Sequence, residues 1–452
     1  MTATKRRRLG IAGIGVSFAL ALSGCAGFGN LGTDPGVTTV TLATVNNPQM
    51  QDMAQLLPEF NKLHPNIKIN MIFMEENDLR NSATKDVATQ GGQYDIMTVG
   101  AYEVPIWGEN RWLVDLTDLA AKDPAYDVDD FFQPVRDGVS VENRLYAVPF
   151  YGESSFLMYR KDLFEQAGLT MPERPTWEQV AQFAEQLKDP AADRAGICLR
   201  GKPGWGEMFA PLTTIVNTFG GQWYDMNWNA QVDQPGFTDA IQFYLDTLEA
   251  GGQADPVSFG FTECLNLFSQ ERAAMWYDAT SAAGSVESED SKVAGKVGYV
   301  RAPVKDTQDS GWLWSWNLGI NAESDSKEQA WEFLKWATSK EYANLVGSTL
   351  GWSKTPPGTR KSTYQIPEYI QAGGEFAPLT AQIMSEVDPK QPGVKPQPWV
   401  GIQYVTIPEF QDVGNQVSQL IADSIAGRRP LNLALNQGQE IAQRAGENQK
   451  KG

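Results

Sequence analysis

The chain has 452 residues, 42% of them hydrophobic and 20% charged, and carries a net charge of −18. That length fills two or three domains with ample cores, and the composition excludes a disordered or membrane-embedded protein. The acidic balance also argues against nucleic acid and anionic lipid as partners, while leaving open the sign of charge inside a cleft.

In chain order, the basic run Lys5 to Arg8 precedes a short apolar stretch, Leu9 to Leu22, ending in small residues before a cysteine. This is the layout of a secretory signal, too short to cross a bilayer as a helix. The stop Leu22-Ser23-Gly24-Cys25 is similar to a bacterial lipobox, in which residues 1–24 are removed and Cys25 carries the lipid. An uncleaved anchor or an ordinary signal is the alternative. The lipobox implies a protein at the outer face of the bacterial cytoplasmic membrane, touching the membrane through its lipid anchor only. Residues 25–36 then serve as a Gly-containing tether. Loss of the four basic residues takes the charge from −18 to −22.

Val37 to Val45 has the continuous apolar and β-branched character of a buried strand. Met50, Met53, Ala54 and Leu57 share one helical face over 48–63, with Pro58 expected to bend that helix. Ile67 to Met74 predicts a second strand, and a polar helix with Leu79 and Val87 follows, stopped by Gly91 and Gly92. Tyr94 to Val99 predicts a third strand. Strand, helix, strand, helix, strand implies a parallel sheet with helices on both faces, and so an α/β fold. His64, the chain's one histidine, falls in a loop between these patterns, which leaves little room for histidine-based metal or acid–base chemistry. Further on, Thr176 and Gln179 form a capping box ahead of Trp177, Val180, Phe183 and Leu187. Helices are also predicted around Ile241 to Leu248, Ala330 to Ala337 and Val413 to Ile421, while the Pro-rich stretch 388–398 is non-helical. Cys198 and Cys264 are the cysteines beyond Cys25; outside the cytoplasm they either pair or stay as separate buried thiols. No metal-ligand spacing and no cofactor motif occurs in the sequence.

Six segments in fixed order carry a resemblance: PEFNKLHPNI at 58–67, YDIMTV at 94–99, YAVPFY at 146–151, MYRKDL at 158–163, AAMW at 273–276 and TRKS at 359–362. Together they resemble the extracellular solute-binding proteins of carbohydrate ABC importers, over essentially all of 37–445. The stretch Tyr94 to Leu116, with AYEVPIW at 101–107, is most similar to members that bind linear polyols such as mannitol or sorbitol. The resemblance implies two discontinuous lobes, 37–148 with 311–350 and 149–310 with 351–452, joined by a hinge around a central ligand cleft. It also implies a monomer that closes on its ligand and delivers it to ABC permease subunits.

A neutral polyhydroxy ligand needs hydrogen-bond partners for its hydroxyls and flat apolar surface for its C–H faces. Trp312, Trp314 and Trp316 alternate, so on a strand they share one face. The resemblance puts a stacking aromatic here, best aligned with Trp316; a core stripe is the alternative. Trp314 and Ser315 replace paired glycines common in relatives, which implies a narrower cleft. By resemblance Glu153, beside Tyr151, binds a hydroxyl, or else is a solvated loop acid. Asp278 ends an apolar strand where α/β sheets open to ligand, or else caps a helix. Arg360 offers forked donors from the TRKS motif, or else makes a structural ion pair. Asn46, Asn47, Tyr102 and Glu103 follow strand ends. Lys202, Trp205 and Glu207 lie in the Gly-rich loop 201–207, and Trp223 follows Gly220 and Gly221. Each of these suits a ligand contact or an ordinary turn.

No glycosidase motif is recognisable in the sequence. A secreted glycoside hydrolase would draw two carboxylates from Glu103, Glu153 and Asp278. A receptor for an oligosaccharide, a glycerol phosphoester or a peptide is a further alternative, and an adhesive or structural lipoprotein another. A phosphoester site calls for clustered basic residues, and only Lys202 and Arg360 offer themselves.

Overall fold

The structure is a computed structural model that describes residues 36–451. The signal segment 1–24, Cys25 and the tether up to residue 35 lie outside the described residues. Two separate β-sheets with flanking helices, and a small hairpin, make up the architecture.

Strands β1 (Thr38–Val45), β2 (Ile67–Met74) and β3 (Ile96–Gly100) pair in parallel, with helices Pro48–Leu63 and Glu76–Ala88 as the crossovers. Val40, Leu42, Ala43 and Ile96 are wholly buried, as expected where helices cover both faces of a sheet. Pro48 occupies the first turn of its helix, which runs on through Pro58. A hairpin of β4 (Ser140–Val141) and β5 (Arg144–Leu145) leads into β6 (Val148–Glu153). The next strand, β7 (Ser155–Arg160), belongs to the other sheet, so Ser154 alone carries the chain across.

That second sheet has the order β10 (Val297–Arg301), β7, β9 (Ala273–Ala279), β8 (Ala195–Cys198). Its helix Trp177–Leu187 starts with the capping box between Thr176 and Gln179. Cys198, ending β8, is disulfide-bonded to Cys264 of the helix Phe261–Ser269. The chain returns to the first sheet as β11 (Trp314–Ile320), giving the order β2, β1, β3, β11, β6.

The first sheet therefore departs from the all-parallel expectation, because β11 runs antiparallel to both β3 and β6. It arrives by a loop from β10 instead of a crossover helix on the same sheet, and that route imposes no parallel direction. β6 pairs with β11 through Glu153, a few residues beyond the expected crossing at 148–149. The helices Phe410–Ile425 and Leu431–Gln449 close the chain, with Val413, Val417 and Ile421 buried as their spacing predicts. Among the described residues no helix is long and apolar enough to cross a membrane, and no acidic, histidine or cysteine cluster suits a metal ion.

Candidate functional site

Strand ends from both sheets converge on one cavity. Asn47 follows β1, Tyr151 and Glu153 end β6, Trp314 and Trp316 begin β11, and Ser281 follows β9. Glu76 and Arg80 come from the first turns of the helix after β2, and Arg200 lies just past the end of β8. Trp205, Phe261, Trp312 and Gln403 complete much of the lining.

One wall is aromatic. Trp314 and Trp316 are two residues apart on β11 and so share a face. Their ring centroids are 5.6 Å apart and nearly perpendicular, and Trp205 lies edge-on to Trp314 at 5.7 Å. Gly100 makes this possible: a Cβ there would fall 2.1 Å from the far ring of Trp314.

Two buried arginines frame the wall. The Arg80 guanidinium sits 4.2 Å from the Trp205 ring centre and 4.9 Å from that of Trp316. It donates to Glu76 at 2.8 Å and also pairs with Glu103. Burial works against its charge, yet the Glu103 and Glu76 carboxylates outweigh burial and hold it above its ordinary value. Arg200 grips Asp278 with two bonds of 2.8 and 2.5 Å and reaches Glu207 at 3.4 Å. Burial lowers and these acids raise its pKa, with the acids again prevailing. Each arginine is thus matched by two carboxylates, so neither offers an unbalanced positive charge.

Glu153 stands apart. Burial pushes its carboxyl up to about 7, although the Ser281 hydroxyl donates to it and Arg200 favours its charge. Glu207 is also pushed up by burial, against the pull of Arg200. Asn47 donates to the Tyr151 hydroxyl at 2.7 Å. Three polar atoms of the lining, Trp205 Nε1, Trp312 Nε1 and Gln403 Oε1, are buried without a hydrogen-bond partner. The indole N–H groups of Trp177 and Trp223, away from the cavity, are unpaired in the same way, so this feature belongs to the buried tryptophans and not to the cavity alone.

Of the residues singled out in the sequence, the structure brings Asn47, Tyr151, Glu153, Trp205, Trp314 and Trp316 onto the cavity. Asp278 and Glu207 stand behind it as partners of Arg200, and Glu103 behind it as a partner of Arg80. Lys202 bonds Glu75 at 2.6 Å, joining the loop after β8 to the helix start after β2. Asn46 is exposed and accepts from Gln51. Tyr102 packs behind Trp205 at 4.9 Å and donates to the carbonyl of Ile407. Trp223 is core, edge-on to Phe209, Phe237 and Phe410.

Arg360 does not line the cavity. It donates to the carbonyls of Thr338, Tyr126 and Asp127, pairs with Asp130 at 3.3 Å and lies over Phe131. These partners occupy its forked donors, so it fastens the segment 126–131 to the chain after β11. Sequence reasoning did not single out Glu76, Arg80, Arg200, Phe261, Ser281 or Gln403. The four-residue spacing of Glu76 and Arg80 on one helix face is a usable signal, as is the place of Arg200 just beyond a parallel strand.

With this geometry in view, comparisons with known proteins are specific. Residues 46–344 match the family described as bacterial extracellular solute-binding protein. A mannitol-binding protein of Pseudomonas aeruginosa is 44% identical over 412 residues, which are 90% of this chain and 93% of that protein. An ABC transporter solute-binding protein from Agrobacterium vitis, solved with bound D-mannitol, superposes with a TM-score of 0.89 at 47% identity, covering 92% of this chain and 99% of that one. Another from Agrobacterium radiobacter, in complex with ribitol, gives a TM-score of 0.80 at 25% identity, over 90% and 98% of the two chains. Two lobes assembled from discontinuous segments, a central cleft and these likenesses lead to one assignment: the chain belongs to the bacterial extracellular solute-binding proteins.

Proposed function

We propose that this protein is the receptor of an ABC importer for a neutral polyol or sugar of about one hexitol in length, with a linear hexitol such as mannitol as the first candidate. Charge balance in the cavity carries the reading. Arg80 and Arg200 are each matched by two carboxylates, which leaves no surplus cation for a phosphoester or carboxylate ligand. Tryptophan faces supply apolar surface for C–H groups, and Glu153, Tyr151, Asn47 and Gln403 supply hydroxyl partners. The mannitol and ribitol complexes of its relatives support the same ligand class.

In this reading the lobes follow the sheets, meeting at Ser154 and in the loop between β10 and β11, and they close over the ligand before a permease takes it. Cys25 is the lipid-bearing N-terminus after removal of 1–24, and the protein acts as a monomer without catalysis. A thermal-shift screen of hexitols, pentitols, tetritols, monosaccharides, disaccharides and phosphoesters tests it. A bound polyol at 100 times its dissociation constant adds about 2.7 kcal/mol of stability. A shift with a phosphoester or peptide and none with any polyol or sugar contradicts the assignment. Trp316→Ala is expected to weaken polyol binding about tenfold or more, the scale of a lost aromatic contact. Trp177→Ala, a core truncation in the second lobe, lowers melting temperature without that loss; equal affinities in both variants would reject stacking on Trp316.

A further inference from the structure

Trp314 borders two cavities. One is the ligand cavity; the other is a solvent-open, mainly apolar groove of about 500 Å3 that includes Pro105, Leu313, Val400 and Tyr404. On the ligand side the indole meets Trp205 and Trp316 edge-on, and on the groove side it meets Tyr404 at a centroid distance of 5.7 Å. Its outer ring fills the place a Cβ would take at Gly100, so the backbone of β3 is cut back to admit it. The side chain is 5% exposed. Trp316, two residues on along the same face, lines the ligand cavity without reaching the groove.

We infer that Trp314 is the end wall that fixes ligand length, and that the groove behind it is a closed-off subsite for a further sugar ring. The inference rests on the ligand cavity being a polyol site. Pro105 and Ala101 reach the groove from the first lobe, and Val400 and Tyr404 from the segment before the final two helices, so both sides of the cleft would clasp an extended ligand. The aromatic face of Tyr404 and the apolar floor suit the C–H face of a pyranose ring. Removing the indole joins the two spaces; keeping it restricts the site to one polyol chain or one ring.

Calorimetric binding of mannitol and of maltitol, a glucosylated hexitol, to wild type, Trp314→Ala, Trp314→Leu and Trp316→Ala tests this. Wild type is expected to prefer mannitol over maltitol by about a hundredfold, as a site with no room for the second ring must pay a buried clash or leave hydroxyls unpaired. Trp314→Ala and Trp314→Leu are expected to lose about tenfold for mannitol and gain about tenfold for maltitol, the scale of one ring contact exchanged for another. Trp316→Ala loses mannitol affinity and gains nothing. A wild type that binds both ligands equally, or a folded Trp314 variant that binds mannitol more weakly without gaining maltitol, overturns the end wall while leaving the polyol site intact. A wild type that binds no polyol removes the site itself, and the end wall with it. The wild-type preference is measurable even if a truncated variant does not fold.

Discussion

Glu153 ends β6 inside the cavity wall, where burial pushes its carboxyl up to about 7 from its ordinary value of 4.5. The folded state therefore keeps a proton that the unfolded chain releases between those values. Its neutral form favours folding at acid pH, and stability falls as pH rises from about 4.5 to about 7. Glu153→Gln stays neutral and escapes that fall. Urea denaturation is expected to show the variant gaining on wild type across this window, by about 1–3 kcal/mol at pH 8 relative to pH 4.5; a difference constant with pH would contradict it. Arg360 calls for the opposite outcome to a ligand contact. Arg360→Ala leaves buried carbonyls and Asp130 without their partner, so a loss of about 3 kcal/mol of stability is expected with polyol affinity within about twofold of wild type. A large affinity loss at unchanged melting temperature would return Arg360 to the ligand. The aromatic residues of the site were legible because alternation on a strand fixes which side chains share a face. Arg80 and Arg200 were not, because a charged residue near a strand end looks the same in sequence whether it meets solvent or a buried carboxylate.

At the scale of elements, the β–α alternation over 38–100 determines the parallel part of the first sheet, and local signals mark most helices, down to the capping box at Thr176. The place of β11 was not readable. Trp314 to Ile320 is apolar throughout, and nothing in its own residues says that it slots between β3 and β6 in reverse. Only long-range pairing decides that. The pairing of Cys198 with Cys264 was open for a similar reason, since it depends on β8 and the helix Phe261–Ser269 meeting across 66 residues of chain. That bond ties the outer strand of the second sheet to the helix whose first residue, Phe261, lines the cavity. Cys264→Ser is expected to cost about 2–4 kcal/mol in chemical denaturation. An unchanged denaturation midpoint would mean that the bond contributes nothing to the fold.

At the scale of the whole molecule, the chain passes between two sheets, and every passage brings a strand end to the same cavity. The acidic exterior, with a net charge of −18, says nothing about that interior, where each of two arginines is held by carboxylates and neither is left unpaired. What remains is an aromatic wall beside the polar side chains of Asn47, Tyr151, Glu153, Ser281 and Gln403, a pattern matched to an uncharged molecule bearing many hydroxyls. Titration calorimetry with D-mannitol at neutral pH tests this most directly. The expected result is saturable binding of one molecule per chain, competed by other linear polyols and insensitive to added salt, as befits a neutral ligand. Absence of binding by mannitol and every other polyol, with saturable binding of an anionic phosphoester instead, would contradict it.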